Sequence, residues 1–291
     1  MMLGSVHYEG CARIALRVGE ESVAILGRSG DGCPNHMLDV IRAWSDARKR
    51  FSEALPNAPV VRADRLSWLP PVGAAAKVIS VVFDGATAAA SRATVTMKSA
   101  SSLVGHLGTV SIKPRYGGVF ARPALAALVG VSDVGESPRQ VPIFGYTLMN
   151  DITAPDMCLA GRSDRAVGEV PGIGRDVDMP GFFSSIDSFG PIGPFIVVND
   201  MDVDLQDAAV VSSVDGYECA RWSTAALPGS IPNMLSSLSE FVRLRAGDVV
   251  AFSMMGGSSI VSSGADLAEA RGEVKIEIEN LCTLVNPVRH R

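Results

Sequence analysis

Short apolar runs punctuated by glycine dominate the chain, and few stretches keep a helical period. Residues 1–30 alternate around Gly and Glu pairs ("ARIALRVGEESVAILGR"), a pattern that predicts hairpins. Residues 35–55 place Leu38, Ile41, Trp44, Phe51 and Leu55 at helical spacing behind Asn35 as a cap, so one helix is expected there. A connector, "LSWLPPVGAAA" (66–76), closes this first part with a proline pair and a run of small residues. Beyond it come "KVISVVF", "ATVTMK", "GTVSIK", "LAALVG", "VPIFGYTLMN", "GPFIVV", "AAVVSSV", "GDVVAFSMM" and "GEVKIEIENLCTLV", all with strand character. One later segment, "PNMLSSLSEFVRLRAG" (232–247), reads as a helix.

Many strands with few helices predict a mostly β fold (mixed β with few α) and not a doubly wound sheet. The division that follows is a small N-terminal α+β module over 1–70 and a main domain over 71–291. Residues 157–182 keep no period and collect Gly, Pro and charge. A loop of that length predicts a lid or binding loop, mobile without ligand and closed over an occupied pocket.

Composition narrows the function. Hydrophobic residues make up 47% and charged residues 20%, which describes a well-buried globular protein. A net charge of −5 offers no basic face, so nucleic acid is not an expected partner. The cluster Arg48-Lys49-Arg50 reads as a solvated helix face. Five cysteines, Cys11, Cys33, Cys158, Cys219 and Cys282, lack metal-ligand spacing and suit free thiols in a reducing compartment. The first residues lack a positive n-region and a long apolar core, and no run reaches the roughly 18 apolar residues of a membrane span. The expectation is a cytoplasmic protein without a membrane partner. No nucleophile elbow or Cys–His arrangement is legible. His106, in the turn-like "LVGHLG", reads as structural, and His7, His36 and His290 as peripheral.

Five segments in fixed order then resemble the fumarylacetoacetate hydrolase family. "LPPVGAAAKVISVVF" is similar to its opening strand, and "MKSASSLVG" (97–105) to the lysine-bearing segment that follows. "FGYTLMNDITAPD" (144–156) resembles its Gly-Tyr…Asn-Asp…Ala-Arg-Asp signature, and "DSFGPIGP" (187–194) its Asp-Thr-Phe…Pro-Leu-Gly-Pro run. "SEFVRLRAGDVVAFSMMGG" (239–257) resembles the stretch ending Gly-Asp-Val-Ile…Gly-Thr-Pro-Gly-Gly. The resemblance covers about 66–287 and implies the family's β-roll for the main domain and a homodimer.

The resemblance also implies a Mg²⁺ or Mn²⁺ held by a Glu-x-Glu pair and the aspartate of the Asn-Asp signature. Here the pair's positions are Arg122 and Ala124, and the aspartate is Asp151. A hard cation needs several converging oxygens, so no metal and no other cofactor is expected. An ion pair between Arg122 and Asp151 is expected instead. The family's histidine falls at Ala88, with Ser91 in place of its glutamate partner; the signature arginine has become Pro155, the lysine ahead of "DSF" Ser184, and the Thr-Pro pair Met254-Met255. Lys98 is kept where the family places a lysine near its substrate.

These replacements are largely small or apolar, and the resemblance implies that they fall in one pocket. The expected catalytic set is Lys98, Arg122 and Asp151, with Lys98 and Arg122 as donors and Asp151 as base. Ala88, Ala124, Pro155, Ser184, Met254 and Met255 would line the pocket. The expected activity is metal-independent cyclisation or isomerisation, or C–C lyase chemistry, on an apolar carbonyl- or enol-bearing molecule of polyketide type. Two alternatives stand beside it. One is a non-catalytic binding or scaffold member. The other is a metal-dependent C–C hydrolase or decarboxylase drawing ligands from the long loop (Asp164, Glu169, Asp176, Asp178).

Overall fold

A computed structural model describes residues 1–73, 76–84, 92–131, 140–157, 182–199, 205, 207–255 and 266–291. The alternating N-terminal run folds as β1 (Met2–Tyr8), β2 (Cys11–Arg17) and β3 (Ser22–Leu26), each antiparallel to its predecessor.

The helical stretch at 35–55 is two helices, not one: α1 (Met37–Arg42) and α2 (Trp44–Ala54), broken at Ala43 (φ −127, ψ 42). His36, not Asn35, occupies the cap position. The break allows two short pieces to lay separate stripes, Met37, Val40 and Ile41 from one and Ala47 and Phe51 from the other, on the same core cluster.

The remaining elements are β4 (Val60–Arg62), β5 (Ser67–Leu69), β6 (Val78–Asp84), β7 (Arg92–Lys98), β8 (Leu103–Val104), β9 (Val110–Ile112), β10 (Pro123–Val129), β11 (Ile143–Asn150), β12 (Gly190–Val198), β13 (Ala209–Val214), β14 (Tyr217–Ser223), α3 (Ile231–Ser239), β15 (Val249–Met255), β16 (Glu273–Ile278) and β17 (Thr283–His290). The expected helix over 232–247 therefore stops at Ser239. Ser230 caps its start by accepting the Asn233 N–H. Past its end, Val242 and Leu244 pack two residues apart, which suits an extended chain. Gly247 then takes φ +88 to turn into β15.

Among the described residues the strands form two sheets. The larger runs β4-β3-β2-β1-β12-β11-β10-β15-β6-β7, with β5 on β1 and β8 on β12; the smaller runs β14-β13-β16-β17-β9. Most pairs are antiparallel, while β15/β6, β8/β12 and β9/β17 are parallel, so the fold is mostly β and mixed. The pairing of β1 with β12 (Leu3 opposite Ile196) joins the N-terminal segment to the same sheet as the later strands.

Strand alternation then assigns each core. Ala124, Ala126 and Leu128 of β10 face the cluster that includes the N-terminal helices. Leu125, Ala127 and Val129 face the opposite cluster, shared with the smaller sheet. No helix among the described residues is long and apolar enough to cross a membrane.

Candidate functional site

The same alternation gathers the polar residues of β6, β7, β10 and β15 on one face. Val78 pairs with Lys98 and Ser80 with Thr96; Ala251 pairs with both Ser80 and Ala126. Arg122 and Ala124 continue the Ala126 side of β10, while Ser253 and Met255 continue the Ala251 side of β15.

Asp151 follows the last residue of β11, and its N–H donates to the Arg122 carbonyl at 2.9 Å. Its carboxylate lies over this face, fully buried. Lys98 Nζ is 2.8 Å from Asp151 Oδ1, with neither side chain exposed. Arg122 Nη2 donates to Asp151 Oδ2 at 2.8 Å, and Ser80 Oγ donates to the same oxygen at 2.6 Å. Lys98 Nζ also donates to the Ile152 carbonyl at 2.9 Å. The structure thus brings Lys98, Arg122 and Asp151 together.

Charge follows from this geometry. Burial alone would raise the Asp151 carboxyl, but the charges of Lys98 and Arg122, with the Ser80 hydrogen bond, hold it well below the usual carboxylate range. Burial pushes the Lys98 ammonium below the ordinary lysine range, against the pull of Asp151, and Arg122 adds repulsion. The two outcomes differ because the carboxylate has two cations to offset its burial, while each cation has only a share of one carboxylate. Buried orphans stand on the same face. Among the described residues, Arg122 Nε, Ser253 Oγ and Thr96 Oγ1 have no hydrogen-bond partner, and Arg122 Nη1 reaches the Met255 sulfur at 4.0 Å and no other acceptor.

The segment ahead of Arg122 is clamped by two aspartates. Asp156 Oδ2 accepts the Gly118 N–H at 2.9 Å, and Asp266 Oδ1 accepts the Val119 N–H at 2.8 Å. Phe120 bridges to Thr153 and Asp266. Asp156, the last position of the signature motif, therefore holds the backbone that delivers Arg122. Nothing in the sequence singled out Ser80, Thr96, Ser253 or Asp266; only their partners across strands give them meaning.

The pocket positions divide. Ala124 is fully buried on the site face, opposite Met149. Pro155 is buried in the short turn Pro155–Met157, and Ser184 is buried in the turn before β12. Met255 lies beside Arg122, but Met254 packs on the other face of the strand with the second core cluster. Adjacent strand residues cannot share a face. Ala88 and the loop positions Asp164, Glu169, Asp176 and Asp178 lie outside the described residues. So does most of the expected lid, 157–182, and Cys158. His106 accepts the Val285 N–H through Nδ1 at 3.1 Å, and burial pushes its pKa down to about 4, so it is a structural acceptor.

The described residues of the site do not fit a divalent cation. Its one carboxylate has both oxygens engaged by Lys98, Arg122 and Ser80, a guanidinium stands 2.8 Å away, and Ala124 offers only a methyl group. No other cluster of three metal-ligating side chains occurs among the described residues.

The sequence profile described as fumarylacetoacetate (FAA) hydrolase C-terminal matches residues 74–289. An uncharacterized protein of Staphylococcus saprophyticus is 25% identical over 197 residues, covering 65% of this chain and 58% of its own length. The mitochondrial oxaloacetate tautomerase of Homo sapiens is 24% identical over 193 residues, covering 66% of this chain and 57% of its own. The chain thus spans less than two thirds of the length of these relatives. Among solved structures, fumarylacetoacetate hydrolase from Exiguobacterium antarcticum superposes with a TM-score of 0.75 at 23% identity, over 100% of both chains. Maleylpyruvate hydrolase from Sphingobium sp. SYK-6 superposes with 0.74 at 21% identity, also over 100% of both chains. It has also been solved with manganese and pyruvate bound. At these identities the superpositions show a shared fold.

Proposed function

Because the chain belongs to the fumarylacetoacetate hydrolase family, we propose that it is a metal-independent catalyst acting on an apolar small molecule that carries a carbonyl or enol. One observation carries this reading: the Arg122 guanidinium binds Asp151 at 2.8 Å where the resemblance puts a metal ligand. A fixed cation beside a carbonyl oxygen stabilises the enolate that isomerisation or cyclisation must form. Arg122 Nε and Nη1 and the Ser253 hydroxyl are the donors for that oxygen, since none is saturated by the described residues. Asp151 serves as the counter-ion that aims Arg122; hydrogen bonds from Ser80 and Arg122 and the ion pair with Lys98 make it a poor base, so the proton lost on forming the enolate passes to solvent. Lys98, wholly enclosed, holds Asp151 from the other side. Ala124, Pro155 and Met255 in place of polar family residues support an apolar substrate of polyketide type.

The expected setting is a cytoplasmic homodimer. Edge strand β7, with Val95 and Met97 each about half exposed, supports self-association (51% and 56%).

A second reading, a non-catalytic binding protein, draws support from the same cluster, because Lys98 and Asp151 have no exposure to a reactant. Proton–deuterium exchange of 2-acetylcyclohexanone, followed by NMR in buffer containing EDTA, separates the two. The catalytic reading expects the wild type to accelerate exchange and Arg122→Leu to lose at least tenfold of it, with Arg122→Lys recovering part. Binding without acceleration would establish the second reading. Loss of activity in EDTA, with restoration by Mg²⁺, would revive a metal-dependent hydrolase.

A further inference from the structure

We propose that the protein carries a second ligand site, for an amphipathic anion, in the cavity between α1 and the turn over 242–248. None of Ser80, Lys98, Arg122 or Asp151 lines it. It lies at the starts of β6 and β15, whereas Arg122 and Met255 mark the other end of β15.

The cavity, open on one side, has a volume of about 1080 Å³, just above the roughly 300–1,000 Å³ typical of small-molecule pockets. Its walls are largely apolar: Met37 and Leu38 of α1, Leu69 and Pro71 of the connector, and Val242 and Ala246 of the turn. The walls are held close. A Cβ on Gly247 would sit 2.7 Å from Leu38 Cδ1, so the turn packs directly against α1.

Charge selects the ligand. Arg42, Arg243 and Arg245 line the cavity with exposed side chains and make no ion pair among the described residues. The other lining cation, Lys77, is held by Asp248, whose oxygens also accept the Lys77 and Arg245 N–H groups. Asp39 is the remaining lining carboxylate. Four cations against two anions is a local excess on a chain whose net charge is −5. Guanidinium groups above an apolar floor recognise a carboxylate or phosphate head group on an apolar body. A neutral apolar molecule would leave the three arginines without a role, and a small free anion would leave the apolar floor exposed to water.

Calorimetric titration of the full chain with decanoate, decyl phosphate and decanol tests the site. The expected result is saturable binding of the anions at about one per chain, at least tenfold tighter than decanol; the ratio between the two anions names the head group. Arg243→Gln with Arg245→Gln should weaken anion binding at least tenfold without shifting the melting temperature, because both side chains are exposed. Ala246→Glu, which places a carboxylate in the lining, should abolish it. Equal affinity for decanol, no saturable binding, or full affinity in the double variant would overturn the proposal. So would a wild type that binds no anion but whose dimer is dissociated by the double variant, since the cavity would then be an interface between copies.

Discussion

Arg122 Nη2 and Asp151 Oδ2 lie 2.8 Å apart at the edge of a buried cluster, and the backbone N–H of Asp151 donates to the carbonyl of Arg122. The two residues are thus locked through both main chain and side chain. Lys98 completes the cluster from the opposite strand of the face, and it is the more deeply buried cation: its side chain has no exposure, against 13% for Arg122.

That difference in burial orders the energetics. Breaking a buried pair typically costs about 3 kcal/mol or more, because the remaining charge is stranded. Lys98→Met should therefore cost about 3 kcal/mol in denaturant unfolding, and Arg122→Ala clearly less, since Lys98 and Ser80 still hold Asp151. Adding Asp151→Asn to Lys98→Met should recover part of the loss. Strict additivity in the double-mutant cycle would refute the coupled cluster.

Metal affinity should be recoverable by restoring carboxylates. The wild type has one engaged carboxylate, so Mn²⁺ should not raise its melting temperature. In Arg122→Glu with Ala124→Glu, three carboxylates converge with the positive guanidinium removed, and Mn²⁺ should stabilise the fold measurably. A wild type that already gains stability from Mn²⁺, or carries about one ion per chain on elemental analysis, would show that the metal site survives.

His106 sets a pH dependence. Its pKa falls from 6.5 in the unfolded chain to about 4 in the fold. Between these values the unfolded state binds more protons, so stability falls as pH drops from about 6.5 and levels off below about 4. Protonating Nδ1 would also remove the acceptor of the Val285 N–H. His106→Asn should flatten the slope of unfolding free energy against pH in that window. An unchanged slope would mean that other groups produce it.

Gly117 should be intolerant of a side chain. It adopts φ +68, and a Cβ there would collide with the Asp156 carboxylate, which anchors the Gly118 N–H ahead of Arg122. Gly117→Ala is expected to destabilise by about 1 kcal/mol or more, and to slow any Arg122-dependent exchange beyond what the stability loss explains. Wild-type stability and activity in this variant would show that the clamp does not position Arg122.

Most of the longer strands were legible from the sequence because their apolar runs carry their own period and their own glycine or proline boundary, whereas β4, β5, β8 and the largely exposed β14 carry too few buried apolar positions to show one. The run "LAALVG" needed no partner to be read as a buried strand, and it forms the core of β10. That Arg122 and Ala124 cannot ligate a hard cation was likewise a property of residue type: neither a guanidinium nor a methyl group can supply an anionic oxygen. The Arg122–Asp151 pair followed from the same chemistry. The break at Ala43 was not legible, because both helical stripes keep an apolar spacing and only the shared core decides their relative rotation. Nor was the end of α3 at Ser239, which depends on where Val242 and Leu244 find their packing. The sequence determined which groups exist; the tertiary structure decided which of them meet. Ser80, Thr96 and Ser253 are ordinary in one dimension and come to the face of Lys98, Arg122 and Asp151 only through strand register, as Asp266 comes to the backbone ahead of Arg122 only through the fold, since contacts between residues tens of positions apart leave no local period. Register also separated Met254 from Met255, neighbours in sequence that the pleat sends to opposite faces.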